Sequence, residues 1–162
     1  MNHSTNLWDF ACSYYRQPQI ESACLHLQDR RGWNVPLILF CCWASSRYGA
    51  LSIEQIQHAK DIAHAFSACT TEPLRQVRQQ MKTTDTKQWA IDSAGWEILR
   101  QGIKNLELRS ERILLEALEM PYKGQRLRQG SAEAIIHNLT LCFEPFSSDP
   151  SIILILEALP PP

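Results

Sequence analysis

Apolar residues recur along this chain at three- and four-residue spacing, the repeat of an amphipathic α-helix, while strand-like alternation is almost absent. Leu7, Phe10, Ala11, Tyr14 and Tyr15 form one such stripe, opened by Asn6 as an N-cap and running to about Arg16. Ile20, Ala23, Cys24 and Leu27 form a second. Pro18 suits its first turn, and Gly32 stands where a left-handed residue ends a helix. Asn34 caps a third predicted helix, residues 35–46, whose Pro36 falls in the first turn, where no intrahelical N–H is lost. Val35 through Ala44 is apolar on all sides, which predicts the buried centre of the fold.

Further on, Ser52 and Gln55 have the spacing of a capping box, opening a helix with Ile53, Ile56, Ala59, Ile62, Ala63 and Phe66 inward. After a break near Thr70–Pro73, Leu74, Val77 and Met81 mark a basic amphipathic segment. The longest periodic segment covers residues 86–119, with Trp96, Leu99, Ile103, Leu106, Ile113 and Ala117 in a heptad-like seam. Unbroken, about 35 residues at about 1.5 Å each span about 52 Å. The helix is therefore expected to bend at Gly95 or Gly102, or to project toward a partner. Ser131 caps a helix through Phe143, and Asp149-Pro150 opens a short last one. The expected fold is all-α: one domain over residues 1–159, a bundle of six to eight helices around residues 35–46, then a proline tail at 160–162.

Composition narrows the classes of function. Sixteen basic and seventeen acidic residues leave a formal net charge of −1, so there is no global pull toward nucleic acid or an anionic membrane. No apolar run approaches the roughly 20 residues a spanning helix needs. None precedes Arg16, the first Lys or Arg, so no secretion signal is expected and the protein reads as cytoplasmic. Cysteines stand at 12, 24, 41, 42, 69 and 142, all within apolar helical patterns, and are expected to be reduced thiols. A zinc site is not expected. There is no C-x-x-C, Cys24 and His26 point to different faces of a helix, and His58 and His64 share none.

One resemblance covers the first third of the chain. Trp8-Asp9-Phe10, Cys24-Leu25-His26-Leu27-Gln28-Asp29 and Val35-Pro36-Leu37-Ile38-Leu39-Phe40-Cys41-Cys42-Trp43 are similar to the hallmark segments of a proteobacterial family known only as a domain of unknown function. The match is looser over Pro73-Leu74-Arg75 and the long helix, and Pro36 and Ile38 depart from the pattern without disturbing a helix. The resemblance implies a helical fold and an intracellular bacterial origin. It implies no activity and no catalytic residue.

Candidate chemistry gathers in the same third, where Asp9, Gln28, Asp29 and Asn34 lie among large aromatics. Asp9 falls near the third position of its helix, where a carboxylate favours free N–H groups. Asp29 opposes the macrodipole at a helix end unless Arg16, Arg30 or Arg31 neutralises it or the turn at Gly32 takes it up. Gln28 has no local explanation. Two readings stay open: a buried polar network of Gln28 with Asp9 and Tyr14 or Tyr15, or a binding site lined by Trp8, Asp9, Tyr14, Gln28, Asp29 and Trp43. Two basic segments, Arg75/Arg78/Lys82 and Lys123/Arg126/Arg128, are the best argument for RNA or ribosome contact. They lack interleaved aromatics and read better as solvated faces. No nucleophile elbow, P-loop or dinucleotide fingerprint occurs, so the reading leans away from an enzyme and expects no cofactor. The expected function is a protein-interaction module, adaptor or regulatory accessory, with homodimerisation through the long helix as one form of partnership. Small-ligand binding is the alternative.

Overall fold

A computed structural model describes residues 6–86, 89–127, 130–143 and 150–157. Eight α-helices and no strand occur among them: α1 (Leu7–Tyr15), α2 (Pro18–Arg31), α3 (Val35–Tyr48), α4 (Ile53–Cys69), α5 (Thr71–Thr83), α6 (Ser93–Glu119), α7 (Ala132–Cys142) and α8 (Pro150–Glu157). A 3₁₀ turn, Met120–Tyr122, follows α6. The fold is all-α, and the proline tail lies outside the described residues.

The helix ends obey local rules. Asn6 accepts the amide of Asp9, Asn34 that of Leu37, Ser52 that of Gln55, and Ser131 that of Ala134, each satisfying an otherwise orphaned N–H. Ser52 and Gln55 close the reciprocal capping box. Gly32 ends α2 at φ +67°, a conformation that costs a residue with a Cβ.

α3 is the axis. Every residue from Val35 to Ser45 is buried, and α1, α2, α4, α6 and α7 all pack against it. One connected cluster of buried side chains joins it to α1, α2, α4, α6, α7 and α8. Aromatic rings brace the cluster at two places. Trp33 stacks on Phe143 with centroids 4.3 Å apart, and Trp43 meets Phe40, Tyr48 and Tyr122 at 5.4–6.3 Å.

α3 cannot be enclosed by apolar contact alone, because its C-terminal end and the turn into α4 carry backbone polar groups. Asn138 on α7 meets them. Its side chain is fully buried, accepts the Leu51 amide at 2.8 Å, and donates to Ser45 Oγ at 2.8 Å and to the Gly49 carbonyl at 3.2 Å. Ser45 in turn donates to the Cys41 carbonyl at 2.6 Å. The approach is close: a Cβ on Gly130 would lie 2.6 Å from the Ser45 carbonyl oxygen and 2.7 Å from Ser46 Cα.

Three expectations change. The long helix starts at Ser93, capped by Asp92, and runs continuously for 27 residues through Gly95 and Gly102. Its buried face is also rotated from the heptad seam. Glu107, Ser110, Leu114, Leu115 and Leu118 go inside, while Leu99, Leu106 and Ile113 are 54%, 50% and 53% exposed. Ile53 on α4 is likewise exposed rather than inward. For α6 the reason is that it meets α5 through polar side chains, which an apolar count does not register.

Asn138→Ala is expected to strand the buried Leu51 amide, to take from Ser45 Oγ the hydrogen bond it accepts, and to cost about 2–4 kcal/mol. Urea denaturation followed by circular dichroism reads this as a lower midpoint with an unchanged slope.

Candidate functional site

The structure disperses the polar cluster expected between α1 and α2. Asp9 is exposed and pairs with its own cap, its Oδ2 accepting from Asn6 Nδ2 at 2.9 Å. Tyr14 is buried and donates its hydroxyl to the Ile155 carbonyl on α8, so it is not a partner of Gln28. Burial pushes the Tyr14 phenol well above its ordinary pKa, so the hydroxyl stays a donor throughout the working pH range. Gln28 is half-buried near the end of α2 and Asp29 is exposed, and neither side chain has a hydrogen-bond partner among the described residues. Trp8 lies beneath the Arg112 guanidinium at 5.1 Å, and Trp43 belongs to the aromatic group around Tyr122. Among the described residues, then, Gln28 makes no hydrogen-bonded network with Asp9, Tyr14 or Tyr15.

The basic segments also separate. Arg75 and Arg78 lie on one face of α5 and are held by carboxylates. Arg75 donates to Glu72 at 2.6 Å, Glu107 at 3.0 Å and Glu111 at 3.1 Å. Arg78 grips Glu107 in bidentate fashion, Nε to Oε2 at 2.5 Å and Nη2 to Oε1 at 3.2 Å. Beside this group Thr71 and Ser110 share a buried hydroxyl pair at 2.9 Å, and Trp96 donates its indole N–H to the Met81 carbonyl at 3.1 Å. Lys82, Lys123 and Arg126 are exposed, and Arg128 lies outside the described residues.

Burial raises the Glu107 carboxyl, but hydrogen bonds and charge from Arg78, then Arg75, outweigh it and leave the pKa below its ordinary value. For Glu111 burial prevails over the pull of Arg75, aided by repulsion from Glu107, and its pKa is raised. Sequence reasoning missed both glutamates and Asn138. The available signal was position: Glu107 stands three before Ser110 and seven before Leu114 on one helix face, opposite arginines three apart on α5.

Two surface features remain. The first is an apolar stripe on α6. Ile98, Leu99, Leu106 and Ile113, continued by Met120 at the start of the 3₁₀ turn, fall within an arc of about 100° at 100° per residue, and Ile98 is 73% exposed. Trp89, Ile91 and Val77 are also exposed. The second is an open cleft of about 650 Å³ lined by Tyr48, Ala50, Leu51, Gln55, Gln125, Arg126 and Leu127. Among the described residues no three His, Cys, Asp or Glu side chains gather to hold a metal ion, and no helix is long and apolar enough to cross a membrane.

Fold and surface define an all-helical bundle with an uncovered apolar stripe on its longest helix. A family model described as "Protein of unknown function (DUF2390)" matches residues 6–118, and the chain belongs to that family. The matched segment takes in α1 to α5 and nearly all of α6, leaving α7 and α8 outside it. No curated protein and no solved structure matches the chain.

The two polar groups should respond differently to mutation. Gln28→Ala and Asp29→Ala are expected to change stability by less than about 0.5 kcal/mol, as surface substitutions do. For Glu107 the folded pKa lies below the unfolded one. Its contribution is therefore complete above the ordinary glutamate pKa of about 4.3 and is lost as pH falls through the depressed value. Glu111 has the opposite sign, and its contribution falls as pH rises from its unfolded to its folded pKa. Glu107→Gln should thus lower stability at pH 7 and flatten the acid limb of a urea-midpoint profile, while Glu111→Gln should leave that limb standing.

Proposed function

We propose that this protein is a non-enzymatic interaction module, an adaptor or regulatory accessory of the bacterial cytosol, which engages a protein partner through α6. The observation that carries this reading is the stripe of Ile98, Leu99, Leu106, Ile113 and Met120, left in water while the opposite face of α6 is committed to α5 and the core. Leu99, Leu106, Ile113 and Met120 stand seven apart, the repeat by which one helix packs along another at a shallow angle. An amphipathic helix fits such a stripe, supplied by another protein or by a second copy of this chain. Arg75 and Arg78 are engaged by three glutamates, which weighs against phosphate contact and RNA binding at that face. Ligand binding remains a second reading because of the cleft beside Tyr48 and Arg126, at a different place from the predicted Trp8–Trp43 set. A small molecule retained in native mass spectrometry and lost in Arg126→Ala would favour it.

The variant Leu106→Glu/Ile113→Glu places charge on the stripe without touching the core. It should fold with an unchanged melting temperature, yet lose the stoichiometric partner that wild type retains in affinity capture from native lysate. If self-association is the partnership, it should instead shift from dimer to monomer in light scattering. A variant that keeps the same partner and the same mass as wild type contradicts the reading.

A further inference from the structure

The six cysteines are free thiols in this structure, and two of them lie sulfur against sulfur. Cys41 on α3 and Cys142 in the last turn of α7 bring their sulfurs to 3.2 Å across 101 residues of sequence, both buried. Cys41 Sγ also approaches the Asn138 carbonyl at 3.9 Å, so the pair sits one turn along α7 from the polar closure of the core. Small apolar side chains would fill the same space, and nothing in the packing requires sulfur at both positions.

We propose that Cys41 and Cys142 are an oxidisable pair, which a peroxide converts to a disulfide tying α3 to α7. One sulfur, as thiolate, attacks the peroxide and breaks the O–O bond. The products are a sulfenic acid and, with the thiol's own proton, water. The neighbouring sulfur then attacks the sulfenic sulfur, the S–O bond breaks, and a second water leaves. Two thiols and one hydrogen peroxide become one disulfide and two waters, with two electrons passing from the sulfurs to the peroxide oxygens. The sulfurs need to close by about 1.1 Å to reach the disulfide length of about 2.05 Å. Hydrogen peroxide is far smaller than a glutathione-sized oxidant, which suits a pair buried between two helices. Burial, with the Cys142 hydrogen bond and charge adding to it, pushes the Cys41 thiol well up, so the closed fold reacts slowly. Once one sulfur is oxidised, its neighbour resolves it faster than a second peroxide arrives. Exposed Cys69 has no such resolving thiol beside it.

The test uses the full chain, reduced, freed of reductant and exposed to millimolar hydrogen peroxide. It is then denatured, alkylated, digested without reductant and analysed by fragmentation mass spectrometry. The expected product is a dithiothreitol-sensitive peptide pair joining Cys142 to Cys41, two hydrogens lighter than its separate halves. Fragmentation between Cys41 and Cys42 assigns the bond in the wild-type protein, so no core substitution is needed. Oxidation of Cys69 reports that the peroxide acted. Recovery of Cys41 and Cys142 as alkylated free thiols beside an oxidised Cys69 would overturn the proposal, and so would a bond from Cys142 to any other cysteine.

Discussion

A helix that is apolar on every side has no face to give to water, so its neighbours must enclose it completely. α3 imposes that constraint here, with eleven consecutive buried residues from Val35 to Ser45. Five helices supply the cover, and the arrangement of the bundle follows from where they can reach. The enclosure is hardest at the end of α3, where the buried Leu51 amide would otherwise lack a partner, at a cost of about 1–3 kcal/mol, and where the part-buried Gly49 carbonyl and the Ser45 hydroxyl, itself bonded to the Cys41 carbonyl, converge on the same point. A single amide, Asn138, meets all three. α7 is thereby fixed in position by polar geometry as well as by the apolar contacts of Leu139 and Cys142.

Much of this was legible in sequence because the rules involved are local. Asn6, Asn34, Ser52 and Ser131 cap helices through atoms three residues away, and Gly32 turns the chain through its own backbone. The continuous apolar run of α3 announces burial without reference to anything else. The buried face of α6 was illegible for the opposite reason. Glu107 and Ser110 go inside only because Arg75, Arg78 and Thr71 stand on another helix to meet them, and no property of α6 alone reports that. Gln28 and Asp29 drew attention as polar residues amid aromatics, yet the rings that follow them in sequence have partners elsewhere, Trp33 on Phe143 and Trp43 beside Tyr48 and Tyr122. Asp9, Tyr14, Trp8 and Trp43 of the expected set each have a partner outside it, and the exposed apolar stripe lies on the helix whose seam was read one face too far round.

These facts join stability to the proposed role. α5 and α6 are held together through ion pairs and hydroxyls, which are directional, so the outer side of α6 is presented in a fixed orientation rather than as a loose segment. Removing one partner from such a group leaves a charge poorly compensated, which is why its members depend on one another. The proposed docking role would draw on both features, a stripe left exposed and a helix held from its other side by Arg75, Arg78 and Thr71.

Native-state hydrogen exchange tests most directly whether an enclosed α3 is the element on which the rest depends. Amides of Leu39 to Ala44 should exchange only through global unfolding, with a denaturant dependence equal to that of the whole molecule. The first turns of α6, Trp96 to Gly102, where the stripe is open to water, should exchange through smaller openings. If α3 amides exchanged before those of α6, or with a weaker denaturant dependence, the enclosed helix would not be the foundation of this fold.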